Sequence, residues 1–538
     1  MKSSQLFLLS LLTALLLAFA WFPNGFVPLL FVAFVPLLMV EQQISKHPSK
    51  YHSLTLFICT YSAFLVWNIL TTWWIKNASF GGAIMAITCN ALLMTITFML
   101  FHKVKKRIGE RWRHILFIGF WITFEFLHHD WDLTWTWLTL GNAFADTPNW
   151  IQWYEYTGVF GGSFWVLFTN SFVFSVVAEN QNLSSSAVAN SIKKNGLKFI
   201  SCIALPIIVS YAISAIDTKF DKFANVVIVQ PNIDPYNEKF VLDYEQQLNK
   251  MLQLAAEKIE AETDYLIFPE TALTENLWEN QIQQSASIHI LKEFIKAYPH
   301  LKIVVGASTS KMYEPGEKLS ATARKFSRQE GYYDAYNTAI QVDTSSFIQL
   351  YHKSRLVPGV EKMPFPFIFK YLGEFAIDLG GTAGSLGTQE ERSVFVSDND
   401  DFKVAPVICY ESVYGEFVTE YIKNGASFIA IITNDGWWGD TPGYRQHLKY
   451  GTLRAIETRR YIARSANTGI SCVIDEKGSI QQATSWWVPA AIKAKIGVSN
   501  QLTFYVKYGD YIGRFAMYLS FVLIIYSWIL QLRKRIKS

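Results

Sequence analysis

Val404-Ala405-Pro406-Val407-Ile408-Cys409-Tyr410-Glu411 is a short apolar run that ends on a cysteine, followed by a tyrosine and an acid. A run of this length reads as a buried strand. By itself, a cysteine after an apolar strand is ordinarily a small core residue. The stretch gains meaning because its arrangement recurs. Glu270 follows the run Tyr265 to Phe268 and Pro269, Lys353 follows Phe347 to Tyr351 and His352, and Asn434 follows Phe428 to Thr433. Further strands are predicted at Asn225 to Val229, Lys302 to Val305 and Ala339 to Val342, with helices over about 239–261, 281–297, 413–424 and 442–460. Short strands alternating with helices predict an α/β domain. Ligands in such sheets bind beyond the carboxyl ends of strands, so Glu270, Lys353, Cys409 and Asn434 are predicted to converge on one pocket.

Outward from this domain the composition changes. The 538 residues exceed what one core usually organises, and 51% hydrophobic with only 17% charged residues is a membrane signature. Apolar runs long enough to cross a bilayer, roughly 17 to 25 residues, lie at about 5–22, 25–41, 53–75, 82–102, 114–128, 161–179, 198–216 and 512–532. The expected organisation is therefore an α-helical transmembrane bundle of about eight spans plus an α/β domain: helices 1 to 7 in residues 1–216, a soluble domain in 217–511, and a last helix with a basic tail in 512–538. The first run, with Lys2 ahead of it and Leu17-Ala18-Phe19-Ala20 behind, also fits a cleaved signal peptide, but a second apolar run begins almost at once. Basic residues are retained in short cytoplasmic loops. Lys103, Lys105, Lys106, Arg107, Arg111 and Arg113 lie on the same side as Lys46, Lys50, Lys193, Lys194 and the tail Arg533, Lys534, Arg535 and Lys537 if there are eight spans. The connection 130–160 lacks lysine and arginine but holds Trp131, Trp135, Trp137, Trp150 and Trp153, which suits an outer interface. The soluble domain falls on that outer side, as in a periplasm facing an inner membrane.

Several functions are disfavoured. A net charge of +4, without a basic stripe carrying interleaved aromatics, argues against nucleic acid as a partner. Cys59, Cys89, Cys202, Cys409 and Cys472 are too scattered for a disulfide framework, and no CxxC or HExxH points to a metal. His128 and His129 beside Asp130 read as interfacial polar residues. Gly306-Ala307-Ser308-Thr309-Ser310 fails the GxSxG pattern at its last position. The run Gly380 to Gly387 lacks the lysine of a phosphate loop and reads as a mobile loop. Cys472, within Ile470 to Ile474, has no acid or base beside it and reads as core.

Glu, Lys and Cys together support acyl chemistry. A thiol becomes an effective acyl acceptor when a base removes its proton and a cation holds the developing oxyanion. Glu270 suits the base, Lys353 the oxyanion, and Cys409 the carrier of a thioester. Phe268-Pro269-Glu270-Thr271, His352-Lys353-Ser354-Arg355-Leu356-Val357-Pro358 and Val407-Ile408-Cys409-Tyr410-Glu411 resemble the Glu, Lys and Cys segments of the carbon-nitrogen hydrolase (nitrilase) superfamily. With the membrane spans, Asn434-Asp435-Gly436-Trp437-Trp438-Gly439, Leu140-Gly141-Asn142 and Gly161-Gly162-Ser163-Phe164, nearly the whole chain resembles the apolipoprotein N-acyltransferase family.

That resemblance implies an α-β-β-α sandwich and transfer of a phospholipid acyl chain to the α-amino group of an S-diacylglyceryl cysteine on an apolipoprotein, with no cofactor. It also implies an additional required glutamate at Glu361 and supporting roles for Tyr410 and Glu411 beside the nucleophile. Asn434, Trp437 and Phe240 are candidate substrate-binding residues. Phe240 stands after Lys239 where the family often has tryptophan, and Val357-Pro358-Gly359-Val360-Glu361 departs from Val-Pro-Phe-Gly-Glu. Trp437, Trp438, Trp486 and Trp487 suit an acyl groove, a membrane contact or core packing. Two other readings use the same residues: a membrane-anchored amidase whose thioester is resolved by water, and a receptor or transporter on an inactive sandwich. The membrane spans favour lipid substrates entering from the bilayer, and an intact Glu, Lys and Cys set disfavours the inactive form.

Overall fold

In hydrocarbon a backbone must satisfy its own hydrogen bonds, so long apolar runs become helices. The computed structural model describes residues 2–21, 25–180, 185–216, 218–239, 241–363, 385–397 and 402–537. The chain divides into two units, one of Met1–Lys76, Ala83–Ile216 and Asp510–Ser538, the other of Asn77–Gly82 and Asp217–Gly509.

Among the described residues of the first unit, seven helices are long and apolar enough to cross a membrane: Ser3–Trp21, Val27–Lys46, Ser53–Asn77, Phe80–Ile108, Tyr154–Glu179, Asn195–Ser214 and Tyr511–Ile536. The remaining expected span, 114–128, is the 15-residue helix Arg113–Leu127, about 22 Å at 1.5 Å per residue against a hydrocarbon core of about 30 Å. It nevertheless lies among the long helices. Thr123 Oγ1 donates to Ser520 Oγ at 2.9 Å, and the His114 ring lies 3.2 Å from Ser175 Oγ while Phe126 meets Phe160. The helix thus runs antiparallel to Tyr154–Asn180.

The unit's interior is aromatic, with Phe34 against Trp121 at 4.9 Å and Trp121 against Phe64 at 5.3 Å between ring centroids. Several buried polar groups are paired, as burial in hydrocarbon favours. Asn90 Nδ2 donates to Asn68 Oδ1 at 2.8 Å, and Glu41 lies between His102 and Lys105. The two glycine motifs interlock. A Cβ at Gly141 would fall 1.9 Å from Val159 O and one at Gly162 would fall 1.8 Å from Tyr154 Oη, while Tyr154 Oη donates to Gly141 O at 2.8 Å and Gly141 N to Ser163 Oγ at 3.1 Å. Only glycine permits that approach. His128 Nδ1 accepts from Trp131 Nε1 at 2.7 Å.

The second unit holds two sheets. Strands β1 (Lys222–Gln230), β2 (Tyr265–Ile267), β3 (Leu273–Trp278), β4 (Lys302–Met312), β5 (Arg324–Lys325), β6 (Tyr332–Val342), β7 (Gln349–His352) and β13 (Ala490–Val498) form one sheet in the order β13-β1-β2-β4-β6-β5, with β3 on β4 and β7 on β6. Strands β8 (Val404–Ile408), β9 (Phe428–Thr433), β10 (Ile462–Ala466), β11 (Cys472–Ile474) and β12 (Ile480–Ala483) form the other, in the order β12-β11-β10-β9-β8. Period-2 alternation explains the layering. Val227, Val229, Leu266, Ile303, Val305, Ile340 and Val342 join one core with Leu248, Met251, Ile288, Leu291 and Ile295 of the helices Tyr244–Ala256 and Ala286–Lys296. Their strand neighbours face the second sheet, where Tyr265 packs edge-on against Phe428 at 5.1 Å and Ser465 Oγ donates to Val229 O at 2.8 Å. Strands covered on both faces read as near-continuous apolar runs, and each fully buried Val, Ile or Leu contributes about 1.5–3 kcal/mol.

Helix starts follow from capping. Asp243 accepts from Glu245 N, Ser285 from Ile288 N and Thr441 from Gly443 N. Of the expected mobile loop Gly380 to Gly387, residues 380–384 lie outside the described residues. Its other end is tethered: Gly387 N donates to Ala335 O at 2.8 Å and Leu386 N to Glu361 O at 3.0 Å.

Candidate active site

The two sheets contribute different members of the site. Glu270 follows β2 and Lys353 follows β7, both in the larger sheet, whereas Cys409 follows β8 and Asn434 follows β9 in the smaller. Asn434 N donates to Glu270 Oε2 at 3.1 Å, a bond that links the two contributions. Cys409 opens a 3-10 turn, Cys409–Val413, with φ 50°. Thr271, directly after Glu270, has φ 48°. Left-handed backbone at a non-glycine residue costs on the order of 1–3 kcal/mol and persists where surrounding structure enforces it. Gly306 on β4 makes room for this bend, since a Cβ there would fall 2.6 Å from Glu270 Cα and 2.5 Å from Thr271 N.

Lys353 is buried and donates from Nζ to Glu270 Oε1 at 2.9 Å and to Glu361 Oε1 at 2.8 Å. Asn337 Nδ2 donates to the same two oxygens at 2.7 and 3.1 Å. Glu361 also accepts from Val357 N at 2.9 Å, which closes the turn containing Gly359 at φ 79°. Lys239, also buried, donates to Thr271 Oγ1 beside Glu270.

These charges set one another. Burial alone would raise the Glu270 carboxyl, but the charge and hydrogen bond of Lys353, with Asn337 and Lys239, hold it below its usual range. Burial would lower Lys353, but Glu270, Glu361 and Cys409 push it well above the ordinary lysine value. Burial, reinforced by Glu270, raises the Cys409 thiol despite the opposing charge of Lys353. Lys239 is lowered to about 8 by burial, with Glu270 opposing. The resting site therefore holds a thiol, an ionised carboxylate and an ammonium, the states a general base and an oxyanion cation require.

Glu411 fastens the Cys409 segment to the Lys353 segment. Its Oε2 accepts from Ile408 N at 2.8 Å, and its Oε1 accepts from Ser354 N and Tyr351 Oη, each at 2.7 Å. Burial raises this carboxyl even so. Tyr410 is buried edge-on against Tyr414 at 5.3 Å.

Behind Cys409 lies a group that strand-end reading does not reveal. The His447 ring contacts Cys409 O through Nε2 at 3.1 Å and Asp435 Oδ1 through Nδ1 at 2.9 Å, while Arg464 Nη2 donates to Asp435 Oδ2 at 2.6 Å. The ring thus bridges the backbone of Cys409 to the Asp435 carboxylate. Cys409, Asp435 and His447 offer ligand atoms within 4.8 Å of one another, but the guanidinium on Asp435 makes this a hydrogen-bonded charge network. Cys472, by contrast, sits in β11 in register with Arg464, and burial raises its thiol to about 12.

The candidate substrate-binding residues fare differently. Asn434 is buried, with its Nδ2 unpartnered among the described residues. Trp437 is half-buried against Tyr236 at 5.2 Å. Phe240 lies outside the described residues. Trp438 stands edge-on to His447, Trp486 stacks on Tyr444 at 3.8 Å, and Trp487 is exposed, so none of these is core.

A family profile described as carbon-nitrogen hydrolase matches residues 225–500, just over half of the chain. The chain belongs to the carbon-nitrogen hydrolase family. All of the site described above lies within that hydrolase region. A second profile, described as apolipoprotein N-acyltransferase N-terminal domain, matches residues 13–172. The chain is similar along its length to proteins named apolipoprotein N-acyltransferase. That of Chlorobaculum tepidum is 28% identical over 99% of this chain and 98% of its own length. That of Haemophilus influenzae is 24% identical over 96% and 94%, and that of Geobacter metallireducens 24% over 94% and 92%.

Proposed function

We propose that this multi-pass membrane protein is an apolipoprotein N-acyltransferase that moves an acyl chain from a phospholipid, through a Cys409 thioester, to the α-amino group of a diacylated apolipoprotein. Glu270 takes the thiol proton as Cys409 Sγ attacks the ester carbonyl. Lys353 Nζ stabilises the oxyanion, and the unpartnered Asn434 Nδ2 assists. The ester C–O bond then breaks, and Glu270 returns the proton to the leaving lysophospholipid oxygen. In the second half the amine attacks the thioester, Glu270 accepts its proton, and the thiol leaves with that proton restored. Glu361 holds Lys353 in place, and Glu411 and Tyr410 brace the elbow. One oxyanion donor contributes roughly 10²–10³-fold.

The observation that carries this reading is the Lys353 ammonium between Glu270 and Glu361, electrostatically coupled to a thiol on left-handed backbone. A soluble amide needs no helical bundle, whereas a lipid donor and a lipidated acceptor both reside in the bilayer. The basic loops favour an inner-membrane orientation with the hydrolase region on the periplasmic side.

The test is to incubate purified protein with phospholipid alone. Lysophospholipid release and one hydroxylamine-labile acyl group on Cys409 are expected, lost in Cys409→Ala and kept in Cys472→Ala. Added diacylated lipopeptide should discharge the adduct as a stable amide. An adduct surviving Cys409→Ala rejects the nucleophile, and discharge only to free fatty acid favours the amidase.

A further inference from the structure

We propose that the membrane unit carries a binding site for an anionic phospholipid at its basic end, separate from the acyl-transfer chemistry. A cavity of about 690 Å³ opens between the helices Phe80–Ile108 and Tyr511–Lys537, lined by Ile96, Met99, Leu100, Leu530 and, at one end, Lys103, Lys106, Arg107 and Lys534. No aspartate or glutamate lines it.

Helical spacing produces this polarity. Ile96, Met99, Leu100, Lys103 and Arg107 fall on one stripe, since positions three and four apart share a helix face. Leu530 and Lys534 repeat the step from apolar to basic on the neighbouring helix, in the same chain direction. Two parallel helices thus offer an apolar wall that ends in cations. That sequence of chemistry matches a lipid, with acyl chains along the leucines and isoleucine and a phosphate against the lysines and arginine.

The pairing of nearby charges sharpens the point. Lys105, on the same helix, turns inward and is neutralised by Glu41 at 2.6 Å, and Glu110 takes Lys105 and Arg113. Lys103, Lys106, Arg107 and Lys534 have no ion-pair partner among the described residues, and the three lysines are exposed. Four cations around one cavity repel one another. An anionic headgroup relieves that repulsion, whereas a zwitterionic one brings its own ammonium into the site.

The test uses the full-length chain in detergent, in a Cys409→Ala background that prevents acyl turnover, with retained lipid counted by native mass spectrometry. Phosphatidylglycerol should bind more tightly than phosphatidylethanolamine. Lys106→Gln with Lys534→Gln should weaken phosphatidylglycerol about 30-fold, from the loss of two of four cations, and leave phosphatidylethanolamine unchanged. Leu530→Trp, which fills the apolar half and keeps every charge, should weaken it too and gives an independent test if the double variant folds poorly. Inorganic phosphate should fail to displace the lipid. Equal retention by the charge variant, equal affinity for both lipids, or displacement by phosphate alone would overturn the proposal.

Discussion

The chain buries the same chemistry twice, once in each unit. In the membrane unit one carboxylate, Glu41, takes His102 at 2.5 Å and Lys105 at 2.6 Å, with Ser45 Oγ adding a third bond at 2.7 Å. In the hydrolase unit one ammonium, Lys353, takes Glu270 at 2.9 Å and Glu361 at 2.8 Å. Each cluster compensates buried charge with hydrogen bonds, as burial demands. What differs is the border. The Glu41 cluster lies on regular helices, with the Ser45 hydroxyl rather than a thiol beside it. The Lys353 cluster adjoins a thiol, two residues with left-handed backbone, and an Asn434 Nδ2 without a partner among the described residues. A buried ion pair is therefore a poor marker of function by itself. Strain and an open donor beside it are the better marker.

Removing one ammonium from each cluster should break this parallel most sharply. Lys353→Met should lower Cys409 acylation about 10³-fold, because methionine keeps much of the volume but supplies no charge to the oxyanion. Arginine should rescue poorly. Lys105→Met should instead cost about 3–5 kcal/mol of stability by stranding Glu41, while each folded molecule acylates at the wild-type rate. Acylation rates normalised to folded protein distinguish the two. A normal rate in Lys353→Met removes it from the mechanism, and a large catalytic loss in Lys105→Met removes the distinction drawn between the clusters.

Glycines offer the next contrast. Gly306→Ala would drive a Cβ into the backbone of Glu270 and Thr271, and backbone cannot swing aside as a side chain can. A displaced base should cost about 10²-fold in acylation with about 1–3 kcal/mol of stability. Gly196, in the helix Ser185–Ser214, has nothing within 4 Å of its Cβ position. Gly196→Ala should be stabilising by about 0.5–1 kcal/mol. Thermal melting beside the acylation rate reads both, and a fully active Gly306→Ala would show that Glu270 tolerates displacement.

The strand-end pattern revealed Glu270, Lys353, Cys409 and Asn434 because each polar residue interrupts an apolar run. Asn337 escaped it, lying inside β6 with nothing in the local pattern to distinguish it from its neighbours. β10 was also missed, since Arg464 breaks its apolar run and its ion pair is with Asp435, distant in sequence. β13 alternates lysine with small apolar residues along Ala490–Val498 and lacks a continuous apolar signal. Glu361, Tyr410 and Glu411 came from family resemblance, because their roles depend on partners in other segments. The long membrane runs were legible by length alone. Arg113–Leu127 was less so, because its place rests on contacts with Ser520, Ser175 and Phe160.

His447 tests whether strain at Cys409 is maintained from behind. His447→Ala should slow acylation about tenfold, the size of one hydrogen bond, through kcat more than KM. His447→Gln, which still offers an N–H to Cys409 O, should recover most of the rate. Equal acylation by all three folded proteins would reduce the network to packing.

The smallest effect concerns Lys239, the cation that separates the Glu270 cluster from its membrane counterpart. In the proposed mechanism Glu270 must be ionised to accept the thiol proton, so activity should be present above its folded pKa and lost as pH falls through it. Lys353, Asn337 and Lys239 hold that pKa below the usual carboxylate range against burial. Lys239→Met removes one lowering charge, so the Glu270 pKa should rise and the acid limb of the acylation profile should move toward neutral pH. Lys239 itself loses its proton near 8, but Glu270 is already ionised there, so the wild type should show no matching loss on the alkaline side. Acylation measured by rapid quench from pH 9 down to the lowest pH at which both proteins stay folded decides this. An unmoved acid limb would leave Lys239 as a buried structural cation, much as Lys105 is in the membrane unit. An acid limb moved to lower pH would reverse the sign of its coupling to Glu270.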